Sequence, residues 1–337
     1  MPLVFRKGTF ATGGPTRVRP GGMTATPKPV VGGGGGGGGS STQKAIFGYG
    51  NTTGSTDVSI TNLVSNTGVV ATDTTGVGTV RSGLAAAGYG TDKAIFGYGW
   101  SNTVSNVSET NLVSNTGAVA TDTTGVGTAR RFIAAAGYGT DKALFGYGFT
   151  SSYSVVSTTN LVSNTGVVAT DTAGVGTGRF RVAAAGYGGD KAIFGYGVNS
   201  SYALASTTNL VSNTGVVATD TTGVGTARGD LAAAGYGGDK AIFGYGQAAN
   251  GSGTYYSMTN LVSNTGAVAT DTTGVGTARR FLAAAGYGTD KALFGYGSTS
   301  SSQSMTNLVS NAGVVATNTT GVGTARNGLA AAGYSTT

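Results

Sequence analysis

The chain has 337 residues, no cysteine and no histidine, and a formal charge of +7, with glycine at 63 positions. Without Cys or His it offers neither a disulfide framework, nor Cys/His ligands for zinc, nor the usual general base for a serine nucleophile. Glycine at this level suggests disorder, but here it recurs periodically among Ile, Leu, Val, Phe and Tyr, which marks it as a packing device.

Residues 1–41 differ in kind from the rest. They carry Arg6, Lys7, Arg17, Arg19 and Lys28 with no Asp or Glu, and run into the eight glycines of 32–39. They read as a basic arm on a flexible tether, an anchor for docking on a larger assembly. The remainder holds 15 basic against 13 acidic residues, so the net charge sits mostly in the arm. Five scattered charges are a weak footprint for nucleic acid, which argues against that partner. No apolar run suits a secretory signal, and none is long enough to span a bilayer.

From residue 42 onward one unit repeats. Lysines 44, 93, 142, 191, 240 and 291 follow one another at 49, 49, 49, 49 and 51 residues. In each unit LAAAGYG, a Gly/Asp turn such as Gly90-Thr91-Asp92, and KAIFGYG read as two antiparallel strands. The companion TNLVSNTGVVATDTTGVGTAR, as in 208–228, reads as a third strand, a turn at Asn213-Thr214-Gly215, and a fourth strand. Helix is disfavoured by Gly, Thr, Asn and Val. Four strands in about 50 residues make a propeller blade. KAIFGYG and AAAGY each occur six times, but the chain enters at Lys44, on a second strand, and leaves on a lone first strand at 329–335. The fold class expected is all-β: a six-bladed propeller of four-stranded blades, closed by pairing the C-terminal strand with the N-terminal blade.

The glycine-terminated KAIFGYG and the asparagines opening the third strands (Asn62, Asn111, Asn160, Asn209, Asn260, Asn307) make residues 42–337 similar to kelch repeats. Gly-Tyr-Gly replaces the paired glycines of that pattern, and the tryptophan of the fourth strand is absent. The resemblance implies a six-bladed ring with its ligand on the face of the second-to-third-strand loops. The KAIFGYG-type and TNLVSNTGVVATDTTGVGTAR-type repeats also resemble virion structural and appendage proteins of phages. That likeness implies display on a virion surface, with residues 1–41 docked to capsid or tail and the ring facing a host glycan or a surface protein. An extracellular or cytoplasmic soluble location is the alternative.

The copies vary in two places. One is the loop after the second strand, such as WSNTVSNVSE at 100–109 or FTSSYSVVST at 149–158. The other is the joint before each first strand, such as Arg130-Arg131-Phe132 or Arg228-Gly229-Asp230. In an up-and-down blade both emerge at one end, which defines a candidate binding face. Its chemistry is a ring of Arg81, Arg130, Arg179, Arg228, Arg279 and Arg326, with Arg131, Arg181 and Arg280 added. Among the loops are Trp100, Phe149, Tyr153, Tyr202, Tyr255 and Tyr256. Aromatic platforms among hydroxyls suit sugars or proteins, and arginine forks suit carboxylate, sulfate or phosphate. Alternatively, each repeated arginine bonds strand-end carbonyls. The Arg-Gly-Asp tripeptide at 228–230 has counterparts in no other joint and is read as chance.

The repeated Asp73, Asp122, Asp171, Asp220 and Asp271, with Asn318 in the sixth copy, are read as structural. No metal, cofactor or enzymatic activity is expected. Two functions remain: a non-enzymatic structural and binding propeller displayed on an assembly, or a soluble lectin-like propeller.

Overall fold

In a computed structural model, residues 43–53, 55–248 and 253–335 are described. They form six three-stranded antiparallel sheets and no helix. A representative sheet runs Ala134–Tyr138, Lys142–Gly146, Thr159–Val162, in that spatial order. In the sheet that joins the two ends of the repeat region, Ala330–Tyr334 pairs with Lys44–Gly48, which pairs with Thr61–Val64. Residue 41/42, the expected boundary of the arm, lies outside the described residues.

The second strand is buried along both faces, from Ala143 to Phe145 without exposure. It therefore reads as a continuous apolar run rather than an alternation. It stops two residues earlier than the KALFGYG motif implies, at Gly146, because Tyr147 and Gly148 take left-handed backbone (φ 66° and 110°). Gly97, which ends the equivalent strand one repeat earlier, has a separate cause. A Cβ there would stand 2.7 Å from Cζ of Phe145 in the next sheet, so the phenylalanine packs on bare backbone.

The expected fourth strand is corrected by the structure. Val217 and Thr221 bridge Val211 and Thr208, but no ladder joins those two points. Two residues separate the bridged positions on one side and three on the other, which is a β-bulge. The side chain of Asn209 fills it, donating Nδ2 to the Ala218 carbonyl at 3.0 Å and to Asp220 at 2.8 Å. A side chain has replaced the ladder.

The core lies between sheets rather than within them. Ala85, Ala87, Tyr89, Ile95 and Tyr98 of one sheet pack with Ile133, Ala143, Phe145 and Val162 of the next. Six such clusters occur, and one of them joins the sheet of Lys291–Gly295 to that of Lys44–Gly48.

Candidate binding face

The structure pairs the two variable regions with each other. Arg130–Arg131 runs antiparallel to Phe149–Thr150, placing Arg131 opposite Phe149, and Arg179–Phe180 runs antiparallel to Val198–Asn199. Arg326–Asn327 pairs with Asn51–Thr52, and bridges link Ser82 to Trp100, Gly229 to Gln247 and Arg280 to Ser298. The nearly invariant hairpins gather elsewhere, where Asn164 and Asn213 donate to Asp141 and Asp190.

The main correction concerns the expected ring of guanidinium groups. Arg81, Arg130, Arg179, Arg228, Arg279 and Arg326 are fully buried, with no exposed side-chain surface. Arg130 shows why. Its Nη1 donates to the carbonyls of Tyr147 and Thr158, at 3.0 and 2.6 Å, and its Nη2 donates to Asn160. Its guanidinium carbon lies 5.0 Å from the Tyr98 ring centroid. Carbonyls at strand ends lack ladder partners, and a five-donor fork satisfies several at once. Asn160 passes the connection on to Asp171 at 2.8 Å, and Asp171 accepts the Thr128 hydroxyl at 2.6 Å, which ties two sheets together. Desolvation pushes the Arg130 pKa down, opposed by Tyr98 and Asp171. For Asp171 burial is the largest influence and raises its pKa, but hydrogen bonds from Thr128 and Asn160 and the charge of Arg130 together hold it below the ordinary value.

Five joints share this carboxylate, and the sixth does not. Asn318 accepts the Thr277 N–H at 3.1 Å and donates to the Thr277 hydroxyl at 2.7 Å. Arg279 accordingly lacks the acidic neighbour that Arg228 has in Asp271 at 3.6 Å.

What remains for recognition is asymmetric. Tyr153 and Tyr202 are 78% and 57% exposed, Phe149 is buried, and Trp100, Arg131, Arg181, Arg280, Tyr255 and Tyr256 are half-buried. The rings form one connected track. Phe149 meets Tyr153 at 5.8 Å and Phe180 at 5.3 Å, Phe180 meets Tyr202 at 6.1 Å and Phe132 at 6.3 Å, and Phe132 stacks on Phe281 at 6.2 Å. The arginines lie on this track, Arg181 over Phe132 and Phe281, and Arg280 over Tyr255.

Phe132, Phe180, Phe281, Asp230 and Gln247 belong to the same cluster, although none of them stands out in the sequence as a candidate. Gly83, Phe132, Arg181, Asp230, Phe281 and Gly328 hold the third place of the six joints, and all have left-handed backbone with φ between 52° and 62°. Each donates its N–H to the carbonyl of the residue before it in that series, and Gly83 donates to Gly328. With the aliphatic residue after each, these six line a cavity of about 80 Å³. Asp230 is ion-paired to Arg181 at 3.3 Å and accepts from Gln247 at 2.6 Å. Burial pushes its pKa up to about 7, with Arg181 and Arg280 pulling the other way. The buried Arg228 and Asp230 leave the tripeptide inaccessible.

Arg6, Lys7, Arg17, Arg19 and Lys28 lie outside the described residues. Among the described residues no cluster of three His, Cys, Asp or Glu is placed to hold a metal, and no helix is long and apolar enough to cross a membrane. No protein-family model matches the chain, and no curated protein matches it.

Proposed function

We propose that the six sheets are the blades of a closed, kelch-like β-propeller that acts without enzymatic activity as a structural and binding disc on a larger assembly, a virion of the phage type, anchored by residues 1–41. Support for closure comes from the cyclic order of the inter-sheet contacts. Gly48, Gly97, Gly146, Gly195, Gly244 and Gly295 each face the phenylalanine of the next sheet, and the last faces Phe47. The hydrogen-bonded series of Gly83, Phe132, Arg181, Asp230, Phe281 and Gly328 returns on itself in the same way.

The observation that carries the functional reading is the contrast between near-identical strands and one aromatic and arginine track confined to the paired variable segments. A scaffold needs sixfold repetition, and a recognition surface needs asymmetry. A second reading, a soluble lectin-like propeller, is favoured by the exposure of Tyr153 and Tyr202. The test compares the full chain with one lacking residues 1–41 in pull-downs from source particles. Retention of a capsid or tail component by the full chain alone supports the anchored disc; equal retention by both removes the anchor.

A further inference from the structure

The arginines that follow or flank the buried six are not equivalent. Arg181 has Asp230 at 3.3 Å, and Arg280 donates to Gln247 at 2.6 Å. Arg131 has no such neighbour. Among the described residues it joins no ion pair and no side-chain hydrogen bond, whereas its buried Nε without a hydrogen-bond partner is a feature it shares with Arg280. Its guanidinium carbon lies instead 5.7, 5.4 and 5.5 Å from the ring centroids of Trp100, Phe132 and Phe149. Three aromatic faces offset part of the desolvation of a cation, but they leave its N–H donors unfilled. The box fixes the fork and supplies no anion.

Beside it stands a second anomaly. Tyr153 packs edge-on against Phe149 at 5.8 Å, remains 78% exposed, and occupies left-handed backbone at φ 60°. Its turn is closed by Tyr153 N–H to the Thr150 carbonyl at 3.1 Å, a site where Gly or Asn is the low-strain choice. Tyr202 repeats the arrangement in the next loop, at φ 59° and packed edge-on to Phe180. The corresponding turn position in the first loop is Ser55, also left-handed at φ 66°. A bulky side chain in this conformation carries backbone strain. Folding recovers little of that from rings left mostly in water, so a partner outside the fold accounts for them better.

We propose that Arg131, Tyr153 and Tyr202 form a binding site for an acidic saccharide, in which the carboxylate of a uronic-type sugar seats on the Arg131 fork and the C–H face of its ring stacks on Tyr153. The inference rests on the reading of the variable segments as a recognition surface. The carboxylate matches the planar donor pair of a guanidinium. The electron-rich face of tyrosine suits the weakly positive C–H face of a pyranose. Ser151, Ser152, Ser200 and Ser201 are exposed around the two rings and offer the donors and acceptors that sugar hydroxyls require. An acidic peptide would satisfy Arg131 equally, but it would leave two flat rings amid hydroxyls without an apolar counterpart.

The test is calorimetric titration of the full chain with a hexameric oligogalacturonate, the same oligomer as its methyl ester, and a hexaglutamate peptide. Parallel titrations use R131Q and Y153S, with unchanged melting checked for each. The expected result is binding of oligogalacturonate alone, weakened about tenfold or more in R131Q and about fivefold or more in Y153S, and falling as salt rises. Y153S sits at an exposed loop tip and keeps the test decisive should R131Q misfold. Equal binding of the methyl ester, preference for the peptide, absence of oligogalacturonate binding, or insensitivity to a folded variant overturns the inference. A pull-down of particle components by wild type, R131Q, Y153S and Y202S separates this failure from that of the broader reading. Capture that depends on Tyr153 without saccharide binding sinks only the ligand class, while capture indifferent to Tyr153, Arg131 and Tyr202 sinks the recognition surface.

Discussion

Replacing Asn318 by aspartate converts the one deviant joint into a copy of its five neighbours, and the expected outcome is a more stable protein at neutral pH. In the neighbouring joint Asp271 accepts the Thr226 N–H at 3.0 Å and the Thr226 hydroxyl at 2.6 Å, and stands 3.6 Å from Arg228. Asn318 makes the same backbone contact, but its amide donates to the Thr277 hydroxyl at 2.7 Å. With aspartate the Thr277 hydroxyl rotates to donate, the hydrogen bonds from the Thr277 N–H, the Thr277 hydroxyl and the Asn307 amide become charge-assisted, and the buried Arg279 gains a carboxylate. Charge-assisted bonds are about twice as strong as neutral ones, but the Asp271 side chain is 29% exposed, so screening reduces the gain to about 1 kcal/mol. For a chain of this size that raises the melting temperature by about 1–3 °C. The acidic equivalents, such as Asp171 and Asp271, have folded pKa values below 3.8. Their stabilisation is therefore complete above 3.8 and is lost as pH falls through the folded value. Denaturant midpoints of wild type and N318D across pH 7 to 2 check the argument. A neutral or destabilising effect at pH 7, or a gain that survives at the acid end, refutes it.

Gly97→Ala drives a methyl to 2.7 Å from the Phe145 ring and 3.0 Å from Thr110, and is expected to cost about 1–3 kcal/mol by urea denaturation; a loss below 0.5 kcal/mol, again only about, would show that the interface yields. Asp230 titrates in the opposite sense to the joint aspartates. Its pKa is raised to about 7, so its favourable contribution is full below 3.8 and is lost as pH rises through 7. D230N is expected to flatten the decline of stability between pH 4 and 8, and an Asp230 carboxyl found by NMR to titrate below 4 would contradict that. Removing 329–337 deletes the strand that pairs with Lys44–Gly48 and exposes the apolar Ala45, Ile46 and Phe47. The truncated chain is expected to lose cooperative melting and to aggregate, and a normal single transition would refute a closing role for that strand.

Much of the scaffold is legible in the sequence because it depends on local chemistry repeated six times. Alanine, Phe and Tyr runs broken by Gly-Thr-Asp or Gly-Gly-Asp specify hairpins, and the offset between six AAAGY and six KAIFGYG copies specifies that the last strand pairs with the first. The variable joints and loops are equally visible as departures from a repeat. The broken fourth strand is not legible, because Val, Thr and Asp in a strand-like pattern do not reveal that Asn209 and its equivalents will take the place of a ladder.

The site divides along the same line. Sequence alone places arginines and aromatics in the variable segments, but burial is a property of neighbours distant in the chain. Arg130 and Arg131 are consecutive and chemically identical, yet strand alternation turns the first toward the Tyr147 and Thr158 carbonyls and Asn160, and the second toward Trp100, Phe132 and Phe149. The sequence determined that charge and aromatic rings gather in the paired variable segments. Only the tertiary structure decided which guanidinium groups are spent on unpaired strand-end carbonyls and which one, Arg131, is left with neither an ion pair nor a side-chain hydrogen bond, because that depends on the face of a short strand each side chain occupies and on what another sheet sets against it.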